Sequence, residues 1–363
     1  MSVIVSLFLG MAALVYGTSL VLPDIMNEWE GAVLFIAVPV LIPVAVLSGY
    51  SLAIYYILVV AAILASCTWV FLTGWRGFIG ELAMRAKSRE HSVLFDIGGF
   101  VTVNFFVSFF ILIIATLLGA GDTGSPDMGT TSEMLYALAN ASVWEELIVR
   151  VLLLGVPLAF VDLVRRRLKT KLYKYVLGGS IEIGAPELAL VVASSTIFGF
   201  AHYDGGWGAW KILDAGIGGL TFGYLFLKFG LPSAIVLHFA IDYASMPTQV
   251  FGFSEAYEIF IVFLWLGLGL IFTVYYIIRI GEFLTGTRVF EERPPYAAVA
   301  WPYPAGPYPP TYGMPVQSTP PQSPVPPVAR TGSAGGYVCP FCGGTEARYA
   351  DGRFQCMRCG KLL

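Results

Sequence analysis

Charge is scarce in this chain. Only 12% of its 363 residues are Asp, Glu, Lys or Arg, while 57% are hydrophobic and mean hydropathy is +0.75. Soluble domains carry about 25% charged residues, so most of this surface does not face water. Histidine is rarer still, with three in the chain. Cysteine is too few and too unevenly placed for a disulfide framework. Cys67 stands alone in an apolar run, and Cys339, Cys342, Cys356 and Cys359 crowd the C-terminal end. The net charge of −3 neither requires nor excludes a polyanionic partner. Ahead of the apolar stretch Val3–Leu22 there is no basic segment, and no small-residue cleavage signal follows. It reads as a retained span rather than a signal peptide.

What the chain has in place of charge is long apolar runs. They approach the ~20 residues that a helix needs to cross the hydrocarbon of a bilayer. Nine spans are expected, near 3–22, 32–49, 51–73, 94–119, 134–161, 186–203, 210–229, 231–248 and 256–279. Only Ser48–Ser51 separates the second from the third, so eight is the alternative count. The expected fold class is therefore all-α: a polytopic transmembrane helical bundle of 8–9 spans with a small C-terminal zinc ribbon. Residues 1–125 form the N-terminal helices, 130–280 a polar-lined core, 281–336 a linker and 337–363 the terminal module.

Basic residues set the orientation. Arg76, Arg85, Lys87 and Arg89 follow the third span, and Arg165, Arg166, Arg167, Lys169, Lys171 and Lys174 follow the fifth. The intervening loop, 119–133, has no Lys or Arg. The positive-inside rule puts both basic loops in the cytoplasm of a cell-membrane protein. Nine spans then place the N-terminus outside and the C-terminal tail in the cytoplasm.

Charges that do occur inside spans need a reason, because each costs several kcal/mol at the bilayer centre, about 3 on insertion scales. In Trp144–Glu145–Glu146–Leu147–Ile148–Val149–Arg150, Glu146 and Arg150 are four apart, with the acid first. They share a helix face and can neutralise each other, a structural pairing that holds the bundle together. Glu145 points about 100° further round and has no local cation, which leaves it available to take and give a proton. His202 ends the sixth span in Phe198–Gly199–Phe200–Ala201–His202. His238 and Asp242 lie one turn apart in the eighth, so the carboxylate can orient the ring. Either histidine alone would read as a packing residue. Two in separate spans, with an unpaired acid in a third, read as one shared site. Gly216, Gly219 and Gly223 give the seventh span a small-residue face for close helix approach. Asp214 is either a lining residue or simply solvated at a span end.

These clusters, Glu-Glu-x-x-x-Arg, then Phe-x-x-x-His, then His-x-x-x-Asp, resemble the CPBP family of CAAX prenyl-protease and bacteriocin-processing intramembrane proteases. The resemblance covers residues 130–250 and implies an endopeptidase with a membrane-embedded cavity, acting on a membrane-associated peptide or protein. It implies that Glu145 and His202 activate water while His238 and Asp242 stabilise the oxyanion. Where the prenyl-protease branch has Asn, this chain has Asp242, and an ionised Asp cannot donate a hydrogen bond. Family members have also been described as metalloproteases. Glu145, His202 and His238 could hold a catalytic zinc, although no His-Glu-x-x-His pair is present. Two other readings compete: a non-enzymatic scaffold of the same fold, and a proton-coupled transporter, for which no inverted repeat is visible.

From Arg293 to Val328 the chain is dense in proline and reads as an extended spacer. Beyond it, Cys339–Pro340–Phe341–Cys342 and Cys356–Met357–Arg358–Cys359 flank a short stretch with a turn signal at Asp351–Gly352. Paired Cys-x-x-Cys knuckles predict a closed, structural four-cysteine zinc site. The ribbon fits a protein partner, and it has no clear basic patch for nucleic acid. Purified full-length protein should contain about one zinc per chain, which the double change Cys339→Ser/Cys342→Ser removes. Elemental analysis checks this, and undiminished zinc in that variant would dismiss the four-cysteine site.

Overall fold

The structure, a computed structural model, describes residues 1–38, 40–84, 91–119, 126, 128–165, 170–286, 347–350 and 353–356. The chain divides into two units, Met1–Ala297 and Ala298–Leu363.

In the first unit, α1 (Ser2–Asn27), α2 (Gly49–Met84), α3 (Val93–Leu117), α7 (Ala185–Asp204), α8 (Trp210–Phe229) and α11 (Glu255–Thr285) are long and apolar. So is the composite Thr131–Val164, giving seven candidate membrane spans among the described residues. That composite begins as α4 (Thr131–Glu146), opens into π turns over Leu147–Gly155 and resumes as α5 (Val156–Val164). Thr130 caps it, accepting from Glu133 N while the Glu133 carboxylate accepts from Thr130 N. Short α6 (Leu172–Leu177) and α10 (Met246–Phe251) complete the set with α9 (Leu231–Asp242). Large apolar side chains such as Phe260, Phe263, Ile271 and Ile277 on α11 are exposed, as expected of a surface solvated by lipid. The protein is a multi-pass membrane protein.

Two expectations change. The apolar run 32–49 is not a helix: β1 (Ala32–Val38) and β2 (Val40–Leu47) pair antiparallel, from Ala32↔Leu47 to Val38↔Val40. Val33, Val38, Val40, Val44 and Val46 favour extended backbone. Gly31, at φ 151°, allows the entry turn. A hairpin returns the chain to the side it left. The bundle is therefore not wholly α, and among the described residues seven candidate spans replace the nine expected. Phe8 stacks on Phe71 at 4.9 Å, which sets the start of α1 beside the later part of α2. The expected span 231–248 is likewise shorter, since α9 has 12 residues, about 18 Å of helix. Nearly every α9 residue is buried, so α9 is a central post rather than a wall. α2 also runs on past Arg76, which the sequence had suggested for a loop.

Close helix contacts position the site. At Gly199 on α7 an added Cβ would fall 2.2 Å from the Ile212 carbonyl oxygen, and at Gly219 on α8 it would fall 2.9 Å from Ser195 Cβ. Gly223 meets Val191 in the same way, at 2.9 Å. Gly216 is looser, 3.7 Å from the Ser195 carbonyl oxygen. The backbones of α7 and α8 can approach this closely only without side chains. Asp214 on α8 is buried and bonded to Ser108 and, at 2.7 Å, to Lys211, so it is a paired structural group. At the other end of α8, Gly179, Ser180 and Ile181 donate to the carbonyls of Phe226, Lys228 and Leu227 at 2.9 Å each. This segment covers the buried turn at Gly230, so α9 begins inside the protein rather than at its edge.

In the second unit the described residues are β3 (Ala347–Ala350) and β4 (Arg353–Cys356), an antiparallel pair with Ala350 opposite Arg353. Cys356 ends β4, while Cys339, Cys342, Cys359 and the linker from 287 to 336 lie outside the described residues.

With the hairpin on one side, a reporter at the N-terminus should read the same side as one inserted at 85–90 and the opposite side to one at Ser125. Glycosylation or cysteine labelling in whole cells checks this. Matching signals from the N-terminus and Ser125 would restore the nine-span topology.

Candidate active site

The polar residues singled out in three separate spans converge. Arg150 Nε donates to Glu146 Oε2 at 3.0 Å, and both side chains are fully buried. The other Glu146 oxygen accepts from His238 Nδ1 at 2.9 Å. Because a carboxylate only accepts, Nδ1 carries the proton, and Nε2 faces Asp242 at 3.4 Å and Glu145 at 3.8 Å. Glu145 therefore does have a nearby nitrogen, from α9 rather than from its own helix. Aromatic rings enclose the group. Phe222 stacks on His238 at 4.9 Å and 12°, and the Arg150 guanidinium lies 5.6 Å from the Phe198 and Phe222 centroids. Its two terminal nitrogens have no partner among the described residues.

His202 and Glu145 share a cavity of about 250 Å³ between α4, α7 and the β-hairpin. Among the described residues Glu145 is the one acid lining it, and its side chain keeps 34% exposure against 0% for Glu146. Neither His238 nor Asp242 lines it; they stand behind Glu145. His202 Nδ1 lies 3.0 Å from the Phe198 carbonyl oxygen. That oxygen can only accept, so Nδ1 donates and the neutral ring keeps its acceptor lone pair on Nε2. Phe198 also packs edge-on against His202 at 4.6 Å. The buried turn at Gly230 explains how His238, eight residues into α9, reaches the level of Glu146.

Residues 128–244 match the model of the type II CAAX prenyl endopeptidase Rce1-like family. This Rce1-like region runs from the α4 cap to the end of α9. It contains Glu145, Glu146, Arg150, His202, His238 and Asp242 and supports a place among CPBP proteases. No curated protein and no solved structure matches the chain. α1, α2, α3, the hairpin, α11 and the tail lie outside the match.

The hairpin's part in the site is not visible in motif spacing. Val33, Leu34, Phe35 and Leu41 wall the cavity. Trp144 Nε1 donates to the Phe35 carbonyl at 2.7 Å, and Leu41 N donates to Asp204 Oδ2 at 2.9 Å, which ties the hairpin to α4 and α7. Opposite Phe35 stands Pro43, which has no N–H to offer that carbonyl. The prolines and β-branched residues of 32–49 were the available signal. Asn140, also on the cavity wall, could have been noticed as a polar residue in a span.

Among the described residues no group of three or more His, Cys, Asp or Glu side chains that could hold a metal ion is present.

Removing the Glu146 charge should leave Arg150 as an unmatched buried cation. Glu146→Gln is expected to lower stability by about 3 kcal/mol, read as thermal unfolding in detergent. A melting curve that superimposes on wild type would dismiss the pairing.

Proposed function

We propose that this protein is an intramembrane endopeptidase in which Glu145 and His202 activate water. The observation that carries the reading is the separation of two adjacent acids. Glu146 is buried against Arg150 and His238, whereas Glu145 reaches the cavity that His202 also lines. A protease of the CAAX type is what the Rce1-like match suggests for this region.

Two acceptors face one cavity. A water between them can donate one hydrogen to the Glu145 carboxylate and the other to His202 Nε2, so that a lone pair of the water oxygen is left for the carbon of an incoming peptide carbonyl. As the water oxygen bonds to the carbonyl carbon, its proton passes to Glu145 and the C=O electron pair moves to oxygen. When that pair returns, the C–N bond breaks and the leaving amine takes the proton from Glu145. His238, held by Glu146 and facing Asp242, fixes the position of Glu145 from behind. The apolar hairpin wall excludes bulk water and fits an apolar stretch of substrate.

The tail carries a separate proposal. Cys339, Cys342, Cys356 and Cys359 would hold a structural zinc, since the two Cys-x-x-Cys pairs flank the β3–β4 hairpin. That ion would tie the knuckles together and take no part in hydrolysis. The C-terminal tail is cytoplasmic on this reading. The end of α11 lies beside the start of α3, where Tyr276 donates to Asp96 at 3.1 Å, and in sequence the basic stretch 85–90 precedes α3.

Glu145→Gln keeps the volume of the side chain and removes the base. It should cut turnover about 100-fold or more in a peptide-library cleavage assay while the protein still folds. Activity equal to wild type would end the assignment of Glu145. A chain ending near Arg293, which lacks the tail cysteines, should keep its activity in strong chelator; abolished cleavage would favour a metal instead.

A further inference from the structure

We infer that the substrate binds as an added β-strand along the free edge of β1, beside Glu145; the inference rests on the protease reading above. The hairpin is a two-stranded sheet, so each strand keeps one edge unpaired. In an antiparallel pair every second residue turns both its N–H and its C=O away from its partner strand. Two contacts identify those residues. The Phe35 carbonyl accepts from Trp144 Nε1 at 2.7 Å, and Leu41 N donates to Asp204 Oδ2 at 2.9 Å, so both residues point outward. Their register agrees: Phe35 stands opposite Pro43, which has no N–H, and Leu41 stands opposite Ala37, two residues beyond Phe35. The register shift at Leu34/Phe35 places the extra residue on β2, so β1 keeps its alternation and Val33 is outward as well.

The β1 edge therefore offers Val33 N–H, Val33 C=O and Phe35 N–H. Among the described residues no backbone group of another element bonds to them. Unpaired backbone groups are costly where water is scarce, and the side chains around them, such as Val33 and Phe35 themselves, are apolar and exposed. This edge is built to receive a partner.

Its place in the site says which partner. Val33, Leu34 and Phe35 all line the cavity that Glu145 and His202 share. Side chains of a strand alternate between faces, so three lining residues in a row turn the backbone edge toward that space. Trp144, the residue before Glu145, pins the edge through the Phe35 carbonyl. A peptide must also leave its helix to be cut, because helical carbonyls are already bonded within the chain. Strand addition gives new partners to the backbone groups that unwinding frees in the membrane. The substrate class is thus a membrane-associated polypeptide with a short extended segment at the cleavage point. Its main chain is read by β1, and alternate side chains meet the apolar wall of Ile148, Val149 and Phe198.

The probe is a fluorescent peptide that the wild-type protein cleaves, made as a series with one backbone amide at a time replaced by an ester. Each member is titrated against full-length Glu145→Gln protein in lipid nanodiscs. An ester removes one N–H donor, so around the cleavage point binding should weaken about tenfold at every second residue. At the residues between, it should stay within about twofold. Val33→Pro removes one donor from the protein side, at an edge position that tolerates proline, and should weaken the unmodified peptide about tenfold. Thermal unfolding accompanies this variant, and if it fails to fold the ester series decides. An ester series without a period of two overturns the inference, as does wild-type affinity in a folded Val33→Pro protein. Either result, with wild type cleaving and Glu145→Gln inactive, leaves the protease reading standing. Equal cleavage by wild type and Glu145→Gln, or none by wild type, overturns both.

Discussion

A guanidinium that cannot reach water has to be matched where it lies, and that constraint organises the bundle. Arg150 is fully buried in the π segment, and the Glu146 carboxylate one turn away meets it at 3.0 Å. The second oxygen of Glu146 then takes His238 from α9, while Phe198 of α7 and Phe222 of α8 bring their rings beside the guanidinium. One buried charge thereby fixes three other elements around the π segment. With Glu146 fully engaged, Glu145 is left at the cavity surface. The difference between the two acids is not chemical identity but which side of one helix meets the cation.

The region that matches the Rce1-like family supplies the polar residues, but the rest of the chain finishes the cavity. The β-hairpin forms one wall and is tied at both strands, through Phe35 to Trp144 and through Leu41 to Asp204. α2 reaches the same space through Tyr55 and Asn140. An apolar hairpin satisfies half of its backbone groups internally, and the two helix-borne partners take up others where water is scarce.

Much of this was legible in order along the chain. Apolar runs of span length mark helices because the bilayer admits few alternatives, and seven of the nine expected runs are long helices. The i,i+4 spacing of Glu146 with Arg150 and of His238 with Asp242 gave their local pairing, since it depends only on helix periodicity. The run 32–49 was misread because hydropathy measures apolar content and not backbone geometry. The short α9 was misread as a full span for a related reason: depth depends on where the chain turns, and Gly230 turns inside the protein.

The sequence by itself determined that the chain crosses a membrane several times, that Glu146 neutralises Arg150, and that Glu145, His202 and His238 are polar residues in need of a reason. All of these follow from composition and local periodicity. Only the tertiary structure decided that His238 binds Glu146 rather than facing the cavity, that Glu145 and His202 share one space, and that a strand pair closes it. Those facts depend on contacts between residues about a hundred positions apart, 92 in the case of Glu146 and His238. Neither hydropathy nor helical spacing carries information across such distances. The packing of α7 on α8 and the burial of α9 do.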